Sequence, residues 1–256
     1  AVAAALAAEI DPDALVLLLP ADHVIADRAA FVAAIERAAP FAKARILTFG
    51  ITPSRPETGY GYIRSGAALA AGVYEIESFR EKPNAAIAQA YLDEGGYCWN
   101  AGMFLFSPGM LLSEFDASAD IREHALAALK HAVRAGDRIA LDAAAFAQAP
   151  SQPLDIAVME KTAKAAVAPC DMGWADIGSW GEIWRLSPHD AEGNAVHGRV
   201  CKMDASGNLL RSDGPKICVA GVSDLVVVAT ADAVVIVPRA RAQDVKLLRD
   251  LAAKLG

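Results

Sequence analysis

Four short stretches of this chain carry acids, a lysine and an asparagine in settings where such groups need a partner. In "LPADH" an apolar run stops at Pro20 and delivers Asp22 and His23 side by side. An ionised carboxylate at the mouth of a buried strand is poorly solvated and calls for a cation, a helix N-terminus or hydrogen-bond donors. Capping the next helix is the structural alternative, and His23 reads as an orienting or packing residue. In "FREKP" Glu81 and Lys82 end a strand that Pro83 stops. Adjacent side chains on a strand point to opposite faces, so no ion pair between these two is expected and separate roles are. Lys82 suits a phosphate as a point charge, and Glu81 suits sugar hydroxyls as an acceptor; an ordinary charged strand end is the alternative.

In "WNAGMF" Asn100 offers a donor and an acceptor, and the Ala-Gly that follows permits close backbone approach to a ligand or makes a simple turn. In "WADIGSW" two indoles bracket Asp176. A carboxylate in so rigid a loop asks for a cation, and Mg²⁺ prefers one or two carboxylates plus phosphate oxygens. Asp22 and Asp176 would supply that pair if the fold brings them close; the alternative is that Asp176 caps a short helix starting at Ser179.

The elements that must position these groups follow from periodicity. "AVAAALAAEIDPDA" lacks a basic n-region and a cleavage site, so it reads as an amphipathic helix and not as a signal peptide. A strand over 15–19, a helix over 28–43 with Phe31, Ile35 and Ala38 at helical spacing, and the strand "ARILTFGI" come next. That rhythm predicts an α/β layer with a largely parallel sheet and ligands at the carboxyl ends of its strands. Residues 58–82 alternate like a hairpin. A helix over 85–92, the apolar strand after "GGYCWN", a helical and Ala-rich stretch over 109–150 and a loop-rich stretch over 153–184 follow. Beyond Pro188 short strands separated by Gly, Asn and Asp suggest a small β unit, closed by a helix over 242–255. The predicted domains are 1–187 and 188–256, and the short strands show no convincing sequence repeat.

With 256 residues, 54% of them hydrophobic, the chain can bury one large core and a small second one. A net charge of -7 without a clustered Lys/Arg window argues against a nucleic-acid or anionic-membrane surface. Four widely spaced cysteines, with no C-x-x-C pair, read as free thiols in a reducing cytosol. No apolar run approaches the roughly 20 residues that span a bilayer.

Taken in order, "LPADHVI", "TGYGYI", "FREKP", "NAGMF", "LDIAVMEKT" and "WADIGSW" resemble the motif series of the bacterial mannose-1-phosphate guanylyltransferases (GDP-mannose pyrophosphorylases), members of the sugar-nucleotidyltransferase superfamily. The later "DLVVVATADAVVIVPRARAQDVKLL" resembles their C-terminal segment. The resemblance implies a Rossmann-like three-layer α/β sandwich with a mixed central sheet, a small C-terminal β unit and a terminal helix. It implies attack of mannose 1-phosphate on the α-phosphorus of GTP, giving GDP-mannose and pyrophosphate. Asp22 and Asp176 would bind the catalytic Mg²⁺, Glu81 would accept sugar hydroxyls and Lys82 would hold the sugar 1-phosphate. Gly61 and Asn100 would line the sugar pocket, and Asp155 and Lys161 would shape its phosphate side.

The family opens with a strand and a loop of the type G-G-x-G-T-R-L-x-P-L-S, which is not found in these residues. The chain therefore reads as a truncated form lacking that strand and loop, with weakened nucleotide affinity and a sheet edge open to association as a homodimer. The rival expectation is a non-catalytic subunit that binds sugar nucleotides and regulates. A metal-dependent glycosyltransferase would want a D-x-D pair after a strand, whereas "DPD" at Asp11 to Asp13 precedes one.

Overall fold

The computed structural model describes residues 1–254. Its contacts divide the chain into two units, Ala1–Trp174 and the part from Ala175 onward. The change of character read near residue 188 lies inside the second unit.

The first unit is built on a six-stranded sheet. Its strands are β1 (Val16–Leu18), β2 (Ile46–Ile51), β3 (Tyr62–Ala70), β4 (Val73–Arg80), β5 (Tyr97–Phe106) and β6 (Ala165–Pro169), in the spatial order β1-β5-β2-β6-β4-β3. Helices cover both faces. On one, Phe31, Ala34 and Ala38 of α2, after α1 (Val2–Ile10) in the chain and spanning Arg28–Ala38, meet Leu47, Phe49, Met103 and Ala168; Ala88 of α3 (Ala85–Glu94) joins them. On the other, Ala4 of α1 and Met110 and Leu111 of α4 (Pro108–Glu114) pack on Ile46, Phe104 and Phe106. This is the three-layer mixed α/β arrangement that the resemblance implies.

The largely parallel sheet expected from the α-β rhythm is not what forms. Only β2 and β6 run parallel; β1–β5, β2–β5, β3–β4, β3–β5 and β4–β6 are antiparallel. The long strand β5 inserts between β1 and β2, a choice of neighbours that helix-strand alternation does not encode. Strand β1 is also an edge rather than a buried strand, leaving Leu18 and Leu19 substantially exposed. Helix α2 stops at Ala38 because Pro40 forces a 3₁₀ turn, Ala39–Phe41. The 109–150 stretch holds helix α5 (Ala119–Lys130) but also an unforeseen hairpin, Val133–Ala135 with Arg138–Ala140. The 153–184 stretch hides the central strand β6.

In the second unit, α6 (Trp180–Leu186) precedes six short strands. Strands β7 (Ala195–His197), β9 (Leu209–Ser212) and β11 (Leu225–Ala229) stack in parallel, as do β8 (Val200–Met203) and β10 (Ile217–Ala220), while β12 (Val234–Pro238) closes antiparallel to β11. These are successive coils of a β-helix, so a structural repeat exists where the sequence shows none. Its register stacks Ala195, Leu209 and Val226. The corner residues before each rung, Gly193, Gly207 and Asp224, all have positive φ (76°, 65° and 54°), so the repeat lives in a backbone conformation that Gly or Asp can adopt. Buried Asn194 and Asn208 tie the coils: Asn208 Nδ2 donates to Asn194 Oδ1 at 2.9 Å and Asn208 Oδ1 accepts from Leu225 N at 2.9 Å. A 3₁₀ turn, Arg239–Asp244, and α7 (Val245–Ala252) follow. Of the helix expected over 242–255, residue Leu255 lies outside the described residues.

Candidate active site

Strand β4 ends at Arg80, and the chain then leaves the strand conformation. Lys82 has φ 44°, a left-handed backbone that is costly for a lysine and recurs at functional sites. Glu81 N donates to Glu160 Oε1 at 3.0 Å and Lys82 N donates to Tyr60 O at 3.2 Å, which hold this turn. The turn cancels the strand alternation, so Lys82 Nζ lies 3.0 Å from Glu81 Oε1 and the two do form an ion pair, contrary to the expectation from adjacency. Glu81 is covered, with a side chain 11% exposed, whereas Lys82 at 61% presents its ammonium to solvent.

Gly61 lies under the same carboxylate. A Cβ there would sit 2.7 Å from Glu81 Oε2 and 3.3 Å from Asn100 Cβ, so any other residue would have to displace the carboxylate. Gly61 O accepts from Asn100 N at 2.8 Å. Strand β5 bulges beside this point: its register against β2 shifts between Thr48 and Gly50, and Gly102 takes φ 68°. Bulges of this kind re-aim a side chain. Here Asn100 Oδ1 accepts from Thr48 Oγ1 at 2.6 Å and from Gly102 N at 3.2 Å, so its amide nitrogen is left to donate to Asp155 Oδ1 at 2.8 Å. Asp155 opens a single π-helical turn, Asp155–Met159.

Burial pushes the Glu81 and Asp155 carboxyls above their ordinary range. The Lys82 hydrogen bond opposes this at Glu81; at Asp155 its own backbone amide, the Lys82 charge and Asn100 do so. The structure thus brings together Gly61, Glu81, Lys82, Asn100 and Asp155. Lys161 is engaged elsewhere, with Nζ 3.4 Å from Ser118 Oγ. Thr48 and Glu160 complete the cluster and were not foreseen. A lone hydroxyl in the apolar run "ILTFGI" was the signal for Thr48; Glu160 sits between two singled-out residues of one motif.

An aromatic wall stands beside these residues. The Tyr60 ring meets Trp99 and Trp174 edge-on, with centroids 5.2 and 5.1 Å away, and the Arg55 guanidinium lies 5.3 Å from the Trp99 centroid. Trp174 Nε1 donates to His23 Nδ1 at 3.1 Å, which holds the indole and the imidazole against each other.

Asp22, in the first unit, is exposed beyond β1 and has no hydrogen bond or ion pair among the described residues. It does not cap α2, because Asp27 Oδ1 does so by accepting from Ala30 N at 2.9 Å. Asp176, in the second unit, accepts from Gly178 N at 3.0 Å; the loop between them holds Ile177 at φ 49°, rare for a β-branched residue. Ser179 Oγ, accepting from Glu182 N at 3.3 Å, caps α6 instead. No group of three or more His, Cys, Asp or Glu gathers as a metal cage among the described residues. Carboxylate oxygens, such as Asp22 and Asp176 each carry, are hard donors of the kind Mg²⁺ takes when phosphates and waters complete its shell.

Residues 1–193 match the family model described as nucleotidyl transferase, and residues 198–250 match a model described as a MannoseP isomerase/GMP-like beta-helix domain. The chain is 46% identical over 245 residues to a mannose-1-phosphate guanylyltransferase of Escherichia coli, covering 92% of this chain and 51% of that protein. It is 45% identical over 247 residues to the alginate biosynthesis protein AlgA of Pseudomonas aeruginosa, covering 94% and 51%. It is 46% identical over 251 residues to the xanthan biosynthesis protein XanB of Xanthomonas campestris, covering 96% and 52%. The chain spans about half the length of the curated relatives it matches. Among solved structures it is similar to one titled mannose-1-phosphate geranyltransferase from Thermus thermophilus, with TM-score 0.83 and 32% identity over 98% of this chain and 72% of that one.

Proposed function

We propose, from the premise that the chain belongs to the nucleotidyl transferase family, that it makes GDP-mannose and pyrophosphate from GTP and mannose 1-phosphate. The observation that carries the reading is the convergence of Gly61, Glu81, Lys82, Asn100 and Asp155 where β4 ends and β5 bulges, a hydroxyl-reading cluster with one exposed ammonium at its rim. The names of the relatives supply the sugar phosphate and the nucleotide.

In the proposed reaction an oxygen of the sugar phosphate bonds to the α-phosphorus of GTP while the bond from that phosphorus to the β-phosphate bridging oxygen breaks. The nucleophile is already an anion, so no residue has to create one; alignment and charge neutralisation do the work. Lys82 draws the sugar phosphate to the rim and holds it against the incoming nucleotide. Glu81 accepts sugar hydroxyls, and Asn100, its amide fixed by Thr48 and Asp155, adds directional contacts that hold the ring at one angle. Asp22 and Asp176 are the carboxylates proposed to hold Mg²⁺, which when bound supplies positive charge against the nucleotide phosphates. No helix among the described residues is long and apolar enough to cross a membrane, and the cytoplasm is the proposed compartment. A homodimer is the proposed association.

The test is pyrophosphate release from GTP and mannose 1-phosphate with Mg²⁺, on this chain and on the same chain preceded by the Gly-rich segment of the family. Release by either, dependent on mannose 1-phosphate, is the expected result. Release by neither, with GDP-mannose still bound, would overturn the reading in favour of a regulatory subunit.

A further inference from the structure

The second unit carries two cysteines that the proposed reaction does not use. Strands β8 and β10 run parallel and in register, with Cys201 directly opposite Cys218 and Val200 opposite Ile217. Val200 and Ile217 pack into the interior of the coil with Leu210 and Val227. Side chains alternate along a strand and in-register neighbours share a face, so Cys201 and Cys218 both point outward. Both are free and exposed, in contrast to the buried Cys98 and Cys170. Met203, two residues beyond Cys201 and therefore on the same face, is 63% exposed and lies opposite Ala220, whose small side chain leaves it uncovered. Three sulfurs thus occupy one patch: a cross-strand thiol pair and a thioether diagonal to one of them.

Their spacing decides what the pair can do. Adjacent strands lie about 4.8 Å apart, and parallel side chains keep roughly that separation at Cβ. A relaxed disulfide wants Cβ atoms about 3.8 Å apart, so direct oxidation would strain both strands. Two metal–thiolate bonds of about 2.3 Å each, the value for zinc, bridge the gap without moving the backbone. A closed zinc site needs a fourth ligand and usually a third Cys or His, and no cluster of three or more His, Cys, Asp or Glu occurs among the described residues. Thiolate and thioether together instead favour Cu(I), which is satisfied by two or three sulfurs.

We infer that Cys201, Cys218 and Met203 form a surface site for a soft, thiophilic ion of the Cu(I) class. Each thiol releases its proton to solvent and donates a sulfur lone pair to the ion, the Met203 thioether adds a third pair, and the ion keeps its oxidation state. No oxidant is required.

The experiment is an anaerobic competition titration on the pre-reduced full chain, in which Cu(I) is delivered as its coloured bicinchoninate complex and loss of colour reports transfer. The expected result is one Cu(I) per chain, lost by more than about tenfold in affinity in Cys201→Ser and in Cys218→Ser, since even outer-shell changes at metal sites lower affinity by that much. Met203→Leu should weaken retention while keeping the stoichiometry. All three positions are exposed, and an unchanged far-ultraviolet circular dichroism spectrum verifies each fold. No transfer to wild type, equal retention by the Cys201→Ser/Cys218→Ser double variant, or half an equivalent bound with a doubling of mass would each overturn the site.

Discussion

Asn100 donates to Asp155 at 2.8 Å through an amide whose oxygen is already held by Thr48 at 2.6 Å. The orientation of the cluster's one carboxamide, a group able both to donate and to accept, is therefore set from β2, in the middle of the sheet. Thr48 is fully buried. Thr48→Val keeps the shape and removes the hydroxyl, leaving Asn100 Oδ1 with the Gly102 N–H alone, at about 1–3 kcal/mol. We expect a lower urea midpoint and weaker mannose 1-phosphate binding by calorimetry. Unchanged affinity would show that Asn100 does not depend on this hydroxyl.

Gly61→Ala should weaken sugar-phosphate binding, because the new methyl would meet the Glu81 carboxylate at 2.7 Å. The physical cause predicts a coupling: in the Gly61→Ala/Glu81→Ala pair the loss of stability should be smaller than the sum of the single losses, by roughly 0.5–3 kcal/mol. Strict additivity in denaturant titrations would mean that the carboxylate is not what excludes the methyl.

Lys82 couples a strained backbone to the proposed phosphate contact. Lys82→Ala keeps φ 44° unfavourable, whereas glycine relieves it, so Lys82→Gly should be the more stable of the two by about 1 kcal/mol. Both should lose roughly 10- to 150-fold in mannose 1-phosphate affinity, the equivalent of one charge-assisted hydrogen bond of about 1.5–3 kcal/mol. An effect confined to GTP would contradict the assignment.

The raised Glu81 carboxyl gives stability a pH dependence of definite sign. Burial favours its neutral form, so its contribution is fully present below the ordinary value of 4.5 and is lost as pH rises through the higher folded value. Glu81→Gln stays neutral throughout. Relative to wild type its denaturant midpoint should therefore be higher at about pH 7 than at about pH 4. A difference that shrinks on going to neutral pH would mean that the Lys82 ion pair outweighs the burial.

Asp22→Asn and Asp176→Asn each remove one carboxylate proposed for Mg²⁺. In a turnover-competent form of the protein each should abolish Mg²⁺-dependent pyrophosphate release, and Asp22→Asn, at an exposed position, should leave the thermal unfolding temperature within a few degrees, as for surface changes of about 0.5 kcal/mol. Unchanged rates in both variants would remove these residues from the proposed site.

What local pattern encodes was legible before any fold: the apolar runs of β1 and β2, the β3–β4 hairpin, the short strands from Ala195 onward, and the ordered motifs holding Gly61, Glu81, Lys82, Asn100 and Asp155. Periodicity and turn residues act over a few positions, and that is enough to mark an element and the face on which a residue sits. Strand β6 escaped because "AAVAP" is short and Ala-rich, with little apolar bulk to set it apart from a loop. The remainder depended on partners distant in the chain. Residue types alone did not place β5 between β1 and β2, bulge it at Gly102 so that Asn100 meets both Thr48 and Asp155, or stack Cys201 on Cys218. The Glu81–Lys82 ion pair is of the same kind. Its geometry follows from a left-handed turn held by Glu160 and Tyr60, and only the folded chain brings those groups to it.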